Sequence, residues 1–408
     1  MAAFNLKILS LQYYTYPDAI GGAWKVPFEL NHRLSKRGHT VNVITCKPNE
    51  DFPDEESVEG VTFHRISSAS AKAFWRLTRS LWKKIDRLCK EGPIDIVHVH
   101  NPLTGFIALL HPALWTVPIV YHFHSAWFDE EKINRRGNPT SGLWQSMRET
   151  VALLAIRSME WFCFFRAHRV VVLSAYSLRR FRHYFPFYGT QTEIISGGVD
   201  TEEFRPAKNS MEREALRDKY GLPQNTPILL TVRRLHYRMG LENLLHALAI
   251  VNKKTPDAEF LVLIAGEGPL RETLSRQIEE LHLQKKVRLT GMLSQESLPE
   301  YYRCADLFIL PTLMIEGFGL STAEALATGL PVLGTPVGAT QNILGSINAH
   351  MLFEGTDPDA LANGILGYLQ NPQSFSDLSN ICRERATSLY SWDSAVLKIE
   401  DIFIQMRK

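Results

Sequence analysis

The chain has 408 residues, 45% of them hydrophobic and 22% charged, which is ordinary for a globular protein with room for two or three domains. Its five cysteines (Cys46, Cys89, Cys163, Cys304, Cys382) are scattered with no C-x-x-C pair, which speaks against a disulfide scaffold or a zinc site and for a reducing compartment. The net charge of +2 is unevenly spread, with 24 Lys+Arg against 18 Asp+Glu in residues 1–200 and 21 against 25 in the remainder; a basic first half suits an anionic membrane or acceptor, and equally an ordinary surface.

Met1–Ser10 has a strand pattern and not that of a signal peptide, and no apolar run reaches the roughly 18 residues of a membrane span. A cytoplasmic protein is expected, soluble or peripheral on the inner face of the membrane. Leu6–Leu11 reads as an apolar strand. A loop and the pair Gly21-Gly22 follow, and residues 23–35 repeat Val26, Leu30 and Leu34 at helix spacing until Gly38. Thr40–Thr45 is the next strand, so the order is β-α-β and predicts a parallel sheet. The glycine pair lets the backbone pass close to a phosphate, or simply turn. Residues 50–60 are acidic and polar and read as a surface loop.

Ser68–Gly92 reads as one strongly basic helix, with a stripe of Phe74, Leu77, Leu81, Ile85 and Leu88 flanked by Trp75 and Trp82. Such a helix either lies on a membrane or docks its stripe on the core. Ile94–His100 and Pro118–His124 are further strands, with His98/His100 and His122/His124 each sharing a face. Strand ends of this kind lie at the carboxyl edge where open α/β sheets bind ligands. Four histidines raise the question of a metal, but no Asp, Glu or Cys set accompanies them, and none is expected. Residues 129–147 read as a mobile loop, and Leu143–Phe165 as a long helix whose aromatics belong in the core. The arginines and aromatics of Arg179–Tyr188 suit a large acceptor, a lipid headgroup or packing. His168–Ser174 is the last strand of this half, and Ile194–Pro206 is turn and linker.

The pattern then restarts. Pro227–Val232 is a strand, Leu241–Val251 a helix, and Phe260–Ala265 a strand followed by Gly266-Glu267-Gly268. Val287–Met292, Asp306–Leu310 and Pro331–Leu333 are further strands. The repeated alternation predicts an α/β protein of two doubly wound, Rossmann-like domains facing each other across a cleft, residues 1–200 and 201–387. Arg233, Arg234 and Arg238 fall within six residues beside a helix start and suit two phosphates.

The most informative stretch is Pro311–Val332. A buried strand leads into a loop holding Glu316, Gly317, Phe318 and Gly319, and a helix opens near Leu320. The glycines let N–H groups approach a ligand, and the helix start adds free N–H groups and the positive dipole end. Glu316 and Glu324 flank that start and can accept hydrogen bonds from hydroxyls. The matching ligand has an anionic middle and hydroxyls at both ends, as a sugar nucleotide does. A nicotinamide dehydrogenase is disfavoured, because the first strand lacks a G-x-G-x-x-G turn.

The string Glu316-Gly-Phe-Gly-Leu, followed by Glu324-Ala-Leu-Ala-x-Gly-x-Pro-Val, resembles the retaining glycosyltransferases of the two-domain GT-B type, in particular family 4, which use nucleotide sugars. The resemblance is loose in the first half and tight from Arg233 to Gly338. It implies that a terminal helix, opening at Ser391-Trp392-Asp393, crosses back, so that about residues 388–408 rejoin the acceptor-binding first domain. It implies donor binding by the second domain. Glu324 would hold ribose hydroxyls, and Glu316 with the N–H groups of Gly317, Phe318, Gly319, Leu320 and Ser321 would hold sugar and diphosphate. Gly266 and the backbone near Met292 would line the donor, with Gly21 and Gly22 reaching its phosphates. His124, Glu316, Arg234 and Arg238 would be the catalytic set, His124 standing near the transferred sugar and acceptor. Two departures concern charge: Arg233 stands where the family has glycine, and Met239 where it has lysine, so Arg238 is expected to serve as the second cation. Ala339 and Asn342 depart from a glycine and a glutamate, which leaves sugar selectivity open. The implied activity is a metal-independent, retaining hexosyl transfer without a cofactor, from UDP-glucose to a glycan or lipid-linked acceptor in polysaccharide or glycolipid biosynthesis. Peripheral membrane contact is one option, and no nucleic acid is involved. The alternatives are a sugar-nucleotide-binding protein without catalysis and a nucleotide-sugar epimerase on the same fold.

Overall fold

A computed structural model describes residues 5–19, 21–67, 73–136, 143–188 and 191–407. The chain forms two compact units, Met1–Ser196 with Trp392–Lys408, and Gly197–Ser391. Both are Rossmann-like.

Unit 1 is built on strands β1 (Lys7–Leu11), β2 (Thr40–Cys46), β3 (Glu55–Val58), β4 (Val61–Ile66), β5 (Ile96–Val99), β6 (Ile119–Phe123), β7 (Arg169–Val172) and β8 (Gln191–Ile194). They form one sheet in the order β3-β4-β2-β1-β5-β6-β7-β8. All neighbours are parallel except β3 and β4. The central strands are buried on both faces, which is why they read as unbroken apolar runs. Two expectations are corrected here. The acidic segment 50–60 is not only loop: β3 pairs back on β4 through Glu59 and Gly60, both at positive φ (49° and 81°) as a tight hairpin requires. The strand near residue 170 is not the last, since β8 pairs beside it.

The basic helix spans Ala73–Lys90, and Ser68–Lys72 lie outside the described residues. Leu77, Leu81, Ile85 and Leu88 are buried in the same core as Leu9, Val97, Val99 and Tyr121. Four of the five stripe residues are therefore spent on the core, which disfavours the membrane-lying reading of this helix; Phe74 and the flanking Trp75, at its start, are exposed. Trp82 donates its indole N–H to the Ile107 carbonyl at 2.9 Å. The expected mobile loop at 129–147 is also corrected: helix Trp127–Arg136 and the start of helix Leu143–Arg166 occupy most of it, and Gly137–Gly142 fall outside the described residues. The terminal helix Trp392–Arg407 belongs to unit 1, with Ile399, Ile402 and Phe403 buried. Its Glu400 accepts from Arg37 Nε at 2.8 Å and shares a hydrogen bond with His39 Nε2 at 2.9 Å.

Unit 2 is built on β9 (Ile228–Val232), β10 (Leu261–Ala265), β11 (Val287–Gly291), β12 (Leu307–Leu310) and β13 (Val332–Gly334). The sheet is wholly parallel, in the order β11-β10-β9-β12-β13. Helices Leu241–Lys254 and Pro358–Gln370 contribute Leu244, Leu248, Leu361 and Ile365 to its core. The winding reverses between β9 and β12, so the loops leaving those strands diverge. That is the place where an open α/β sheet forms a ligand crevice.

Candidate functional site

The loops at the carboxyl ends of β9, β10, β12 and β13 are locked together main chain to main chain. After β9 comes a single 3-10 turn, Tyr237–Met239, closed by Gly240. The Arg238 carbonyl accepts from Leu313 N at 3.0 Å and Met314 N at 3.2 Å. Gly240 has φ 72°, and a Cβ there would stand 1.9 Å from the Pro311 carbonyl oxygen. On the other side Ala339 N donates to the Glu316 carbonyl at 2.8 Å, and a Cβ on Gly338 would lie 2.2 Å from that oxygen. These two glycines are required by close approach as well as by positive φ. Ile315, at φ 52°, is a β-branched residue in the left-handed region, so the loop is held in a conformation that it would leave if free.

Glu316 stands on this loop. Its Oε2 accepts from Arg233 Nη2 at 2.8 Å and from Thr312 Oγ1 at 3.3 Å. Gly319 ends the loop at φ 86° and caps helix Leu320–Ala327. Glu324 lies one turn inside the helix and is buried; its Oε2 accepts from Tyr302 Oη at 3.0 Å. Tyr302 also reaches the Ser321 carbonyl at 3.3 Å. Burial, and then the Glu324 carboxylate, push the Tyr302 hydroxyl well above its ordinary pKa, so it remains a donor. The Thr322 hydroxyl is buried without a partner among the described residues. Gly317 and Ser321 are partly accessible beside it. Phe318 is different: its ring is buried against Tyr390 with centroids 5.3 Å apart, so only its backbone is available to a ligand.

The cations are not arranged as the sequence implies. Arg233 is 9% exposed, and its Nη2 lies 2.8 Å from Glu316 and 2.9 Å from Met239 Sδ. Arg238 turns its Nη1 to the Ile315 carbonyl at 3.2 Å, so it braces the loop. Arg234 is exposed at the loop surface. The charge beside Glu316 thus comes from Arg233, which the sequence reading placed among the phosphate-facing arginines and took as a departure from the family's glycine, not as a partner of Glu316. The available signal was the coincidence of two departures, a cation gained at 233 and one lost at 239. His236, between Arg234 and Arg238, has its pKa lowered by burial first and then by those two charges. Gly266 packs on the Arg233 carbonyl, and its N–H donates to the Gly291 carbonyl at 2.8 Å, next to the exposed Met292.

Unit 1 has its own cluster. His100 Nδ1 and His124 Nε2 share a hydrogen bond at 3.1 Å, and His100 Nε2 and His98 Nδ1 another at 3.2 Å. His122 stacks on His124 with centroids 4.8 Å apart. The two ends of the chain, His98 Nε2 and His124 Nδ1, and both nitrogens of His122 have no partner among the described residues. Burial lowers His98 to about 3, His124 to about 4, and His100 and His122 well below the ordinary value. All four rings are therefore neutral at pH 7. A chain of neutral imidazoles donates in one direction, so one end carries a hydrogen and the other a lone pair. His98, His100 and His122 each place one ligand atom within 4.8 Å of the others, a set that can hold a metal ion, although no carboxylate or thiol joins it. Gly21 opens helix Gly22–Lys36, its carbonyl accepting from Trp24 N and Lys25 N at 3.0 Å each. His124, Gly21 and Gly22 thus lie in unit 1, and the other candidate residues in unit 2.

Residues 20–203 match the family described as Glycosyltransferase Family 4, and residues 212–388 match Glycosyl transferases group 1. A D-inositol 3-phosphate glycosyltransferase of Xylanimonas cellulosilytica is 26% identical over 409 residues, covering 95% of this chain and 92% of its own. Among solved structures, sucrose-phosphate synthase from Thermosynechococcus elongatus superposes with a TM-score of 0.82 at 21% identity, over 98% of this chain and 99% of that one. Anabaena HepE, solved with UDP and glucose, superposes with a TM-score of 0.72 at 17% identity, over 98% and 100%.

Proposed function

We propose, from the premise that this chain belongs to the group 1, family 4 glycosyltransferases of GT-B fold, that it transfers a hexose from a nucleoside diphosphate sugar, UDP-glucose first among them, to a hydroxyl of a glycan or lipid-linked acceptor with retention at the anomeric carbon. The observation that carries this reading is the pair Glu316 and Glu324 on either side of the start of helix Leu320–Ala327, beside arginine-rich loop 233–238 at the reversal of the sheet. Glu324, oriented by Tyr302, takes the ribose hydroxyls. Glu316 takes a sugar hydroxyl, and the N–H groups from Gly317 to Ser321 take the diphosphate. Arg234 faces the diphosphate, and Gly266 and Met292 border the base.

The chemistry breaks the bond between the anomeric carbon and the β-phosphate oxygen, which keeps the electron pair. The acceptor oxygen bonds to the same face of that carbon, and its proton passes to the departing phosphate. Fixed cations and helix N–H groups stabilise the charge that grows on the diphosphate, and no carboxylate nucleophile or metal ion is required. His124, on unit 1, is assigned to the acceptor. The UDP and glucose in the Anabaena relative favour UDP-glucose as the first donor to test.

Calorimetry with UDP-glucose, UDP-galactose, UDP-N-acetylglucosamine and GDP-mannose tests this on wild type and Glu324→Ala. One donor binds, binding survives a chelator, and the variant loses it. Slow release of free sugar then identifies a transferase and rejects a binding protein. Silence across the panel refutes the donor assignment.

A further inference from the structure

We propose that the outward face of helix Leu143–Arg166, continued by Phe187, docks on anionic lipid bilayers; this goes beyond the donor reading and does not depend on it. Met147, Val151, Leu154, Trp161 and Phe165 are all exposed, Phe165 at 85%. Their spacing places them on one side of the helix, a stripe about 27 Å long at 1.5 Å per residue. The opposite side holds the buried Ile156, Glu160, Cys163 and Phe164. An ordinary surface helix has one apolar side, which faces in; this helix carries a second one facing out.

The stripe does not end with the helix. Trp161 meets Phe185 edge-on at 5.2 Å, and Phe187, two residues further, is 91% exposed. At the same end the Arg166 guanidinium holds the carbonyl of Trp115, which is itself exposed. A contiguous apolar surface of this kind marks an interaction site.

Charge selects the occupant. Residues 143–188 contain seven arginines, two glutamates, and no aspartate or lysine. Of the glutamates, Glu160 is buried. Arg148 and Arg157 are exposed on the two flanks of the stripe, and Arg182 is exposed near Phe187. An apolar strip ending in Trp and Phe and edged by exposed arginines, with Glu160 buried and Glu149 half-buried, matches the depth profile of a bilayer with anionic headgroups. A second copy of the chain would bring like-charged rims together.

The test is flotation of the full chain with phosphatidylcholine vesicles, with and without phosphatidylglycerol. Binding is expected to the anionic vesicles, at least about tenfold above the neutral ones, and to fall as salt rises. Tryptophan emission shifts to the blue as Trp161 enters the headgroup layer. Phe165→Ser/Phe187→Ser lowers partitioning by about tenfold or more without lowering the melting temperature, because both rings are exposed. Arg148→Gln/Arg182→Gln removes the preference for anionic vesicles. Absence of binding to either vesicle overturns the proposal, as does wild-type binding by the double serine variant. A concentration-dependent dimer that the double serine variant abolishes, without vesicle binding, reassigns the face to a second copy.

Discussion

Replacing Arg233 with methionine isolates the ion pair beneath the proposed donor site. The substitution keeps an apolar stem of similar length and removes the guanidinium. It leaves Glu316, whose side chain is 13% exposed, with the hydrogen bond from Thr312 and no cation in place of the guanidinium. Removing one partner of a buried pair costs about 3–5 kcal/mol, because the remaining charge has lost both water and counter-ion. Arg233→Met/Glu316→Gln recovers most of that loss, since a neutral amide needs no cation. Arg233→Met/Met239→Lys also recovers part of it: the Met239 sulfur lies 2.9 Å from Arg233 Nη2, so a lysine stem from position 239 ends close to the vacated charge. The assay is urea unfolding followed by far-ultraviolet circular dichroism. All eight tryptophans lie in unit 1, so their emission in the same titration is an internal control that stays unchanged. Donor calorimetry on the three variants separates stability from binding: the lysine variant binds better than Arg233→Met, and the Glu316→Gln double variant does not. A loss below about 1 kcal/mol for Arg233→Met, or no rescue by lysine, refutes the assignment of Arg233 as the cation that holds Glu316.

Three further outcomes follow from the buried groups. Tyr302→Phe leaves Glu324 without its hydroxyl donor, lowers unit 2 stability by about 1–3 kcal/mol in the urea assay, and weakens binding of the free nucleoside diphosphate. Burial pushes the Glu160 carboxyl up to about 7, where it accepts from Trp127 N at 2.7 Å. A raised acid contributes stability below its unfolded pKa and loses it as pH climbs through 7, so Glu160→Gln gains about 1 kcal/mol more over wild type at pH 8 than at pH 6, read from tryptophan melting curves. The buried His98, His100, His122 and His124 have the opposite sign: their lowered pKa values give stability that is present above about 6.5 and is lost as pH falls. An unfolded chain protonates all four by pH 5 while burial disfavours the charged rings in the fold, so tryptophan emission reports a loss of unit 1 stability as pH falls below about 6.5, and a histidine-to-glutamine variant at His122 lessens that loss.

The parallel strands and the loop Glu316–Gly319 were readable because each is encoded locally, whereas the reversal between β9 and β12 is a property of strand order that no single stretch carries. Buried strands are apolar runs, and a glycine that must approach a carbonyl announces itself in the chain, as at Gly240 and Gly338. Side-chain partnerships across loops are not encoded that way. Glu316 and Arg233 are 83 positions apart, and which of three neighbouring arginines reaches the carboxylate depends on the φ of Ile315 and the turn at Tyr237–Met239. A local reading assigns Arg238 by its nearness in sequence to the missing lysine. The three-dimensional arrangement sends Arg238 to the Ile315 carbonyl and brings Arg233 in from the end of β9. The hairpin at Glu55–Ile66 was hidden for a related reason: its first strand is exposed and acidic, and only its partner carries an apolar pattern.

Two helices show the limit of periodicity as a guide to surfaces. Helix Ala73–Lys90 has the charge and stripe of a membrane-surface helix, and helix Leu143–Arg166 has the aromatic richness of a core helix. The fold reverses both. The first turns its stripe inward beside β4 and helix Pro102–Leu109, where Leu81 and Ile85 have no exposure at all. The second is apolar nearly all round, so burying one side leaves the other in solvent, with Trp161 and Phe165 outward and Cys163 and Phe164 inward. A hydrophobic stripe states that a helix has one face to bury. A helix with two such faces states that the domain supplies one partner and something else supplies the other, and the arginines along its exposed side identify that partner as an anionic surface.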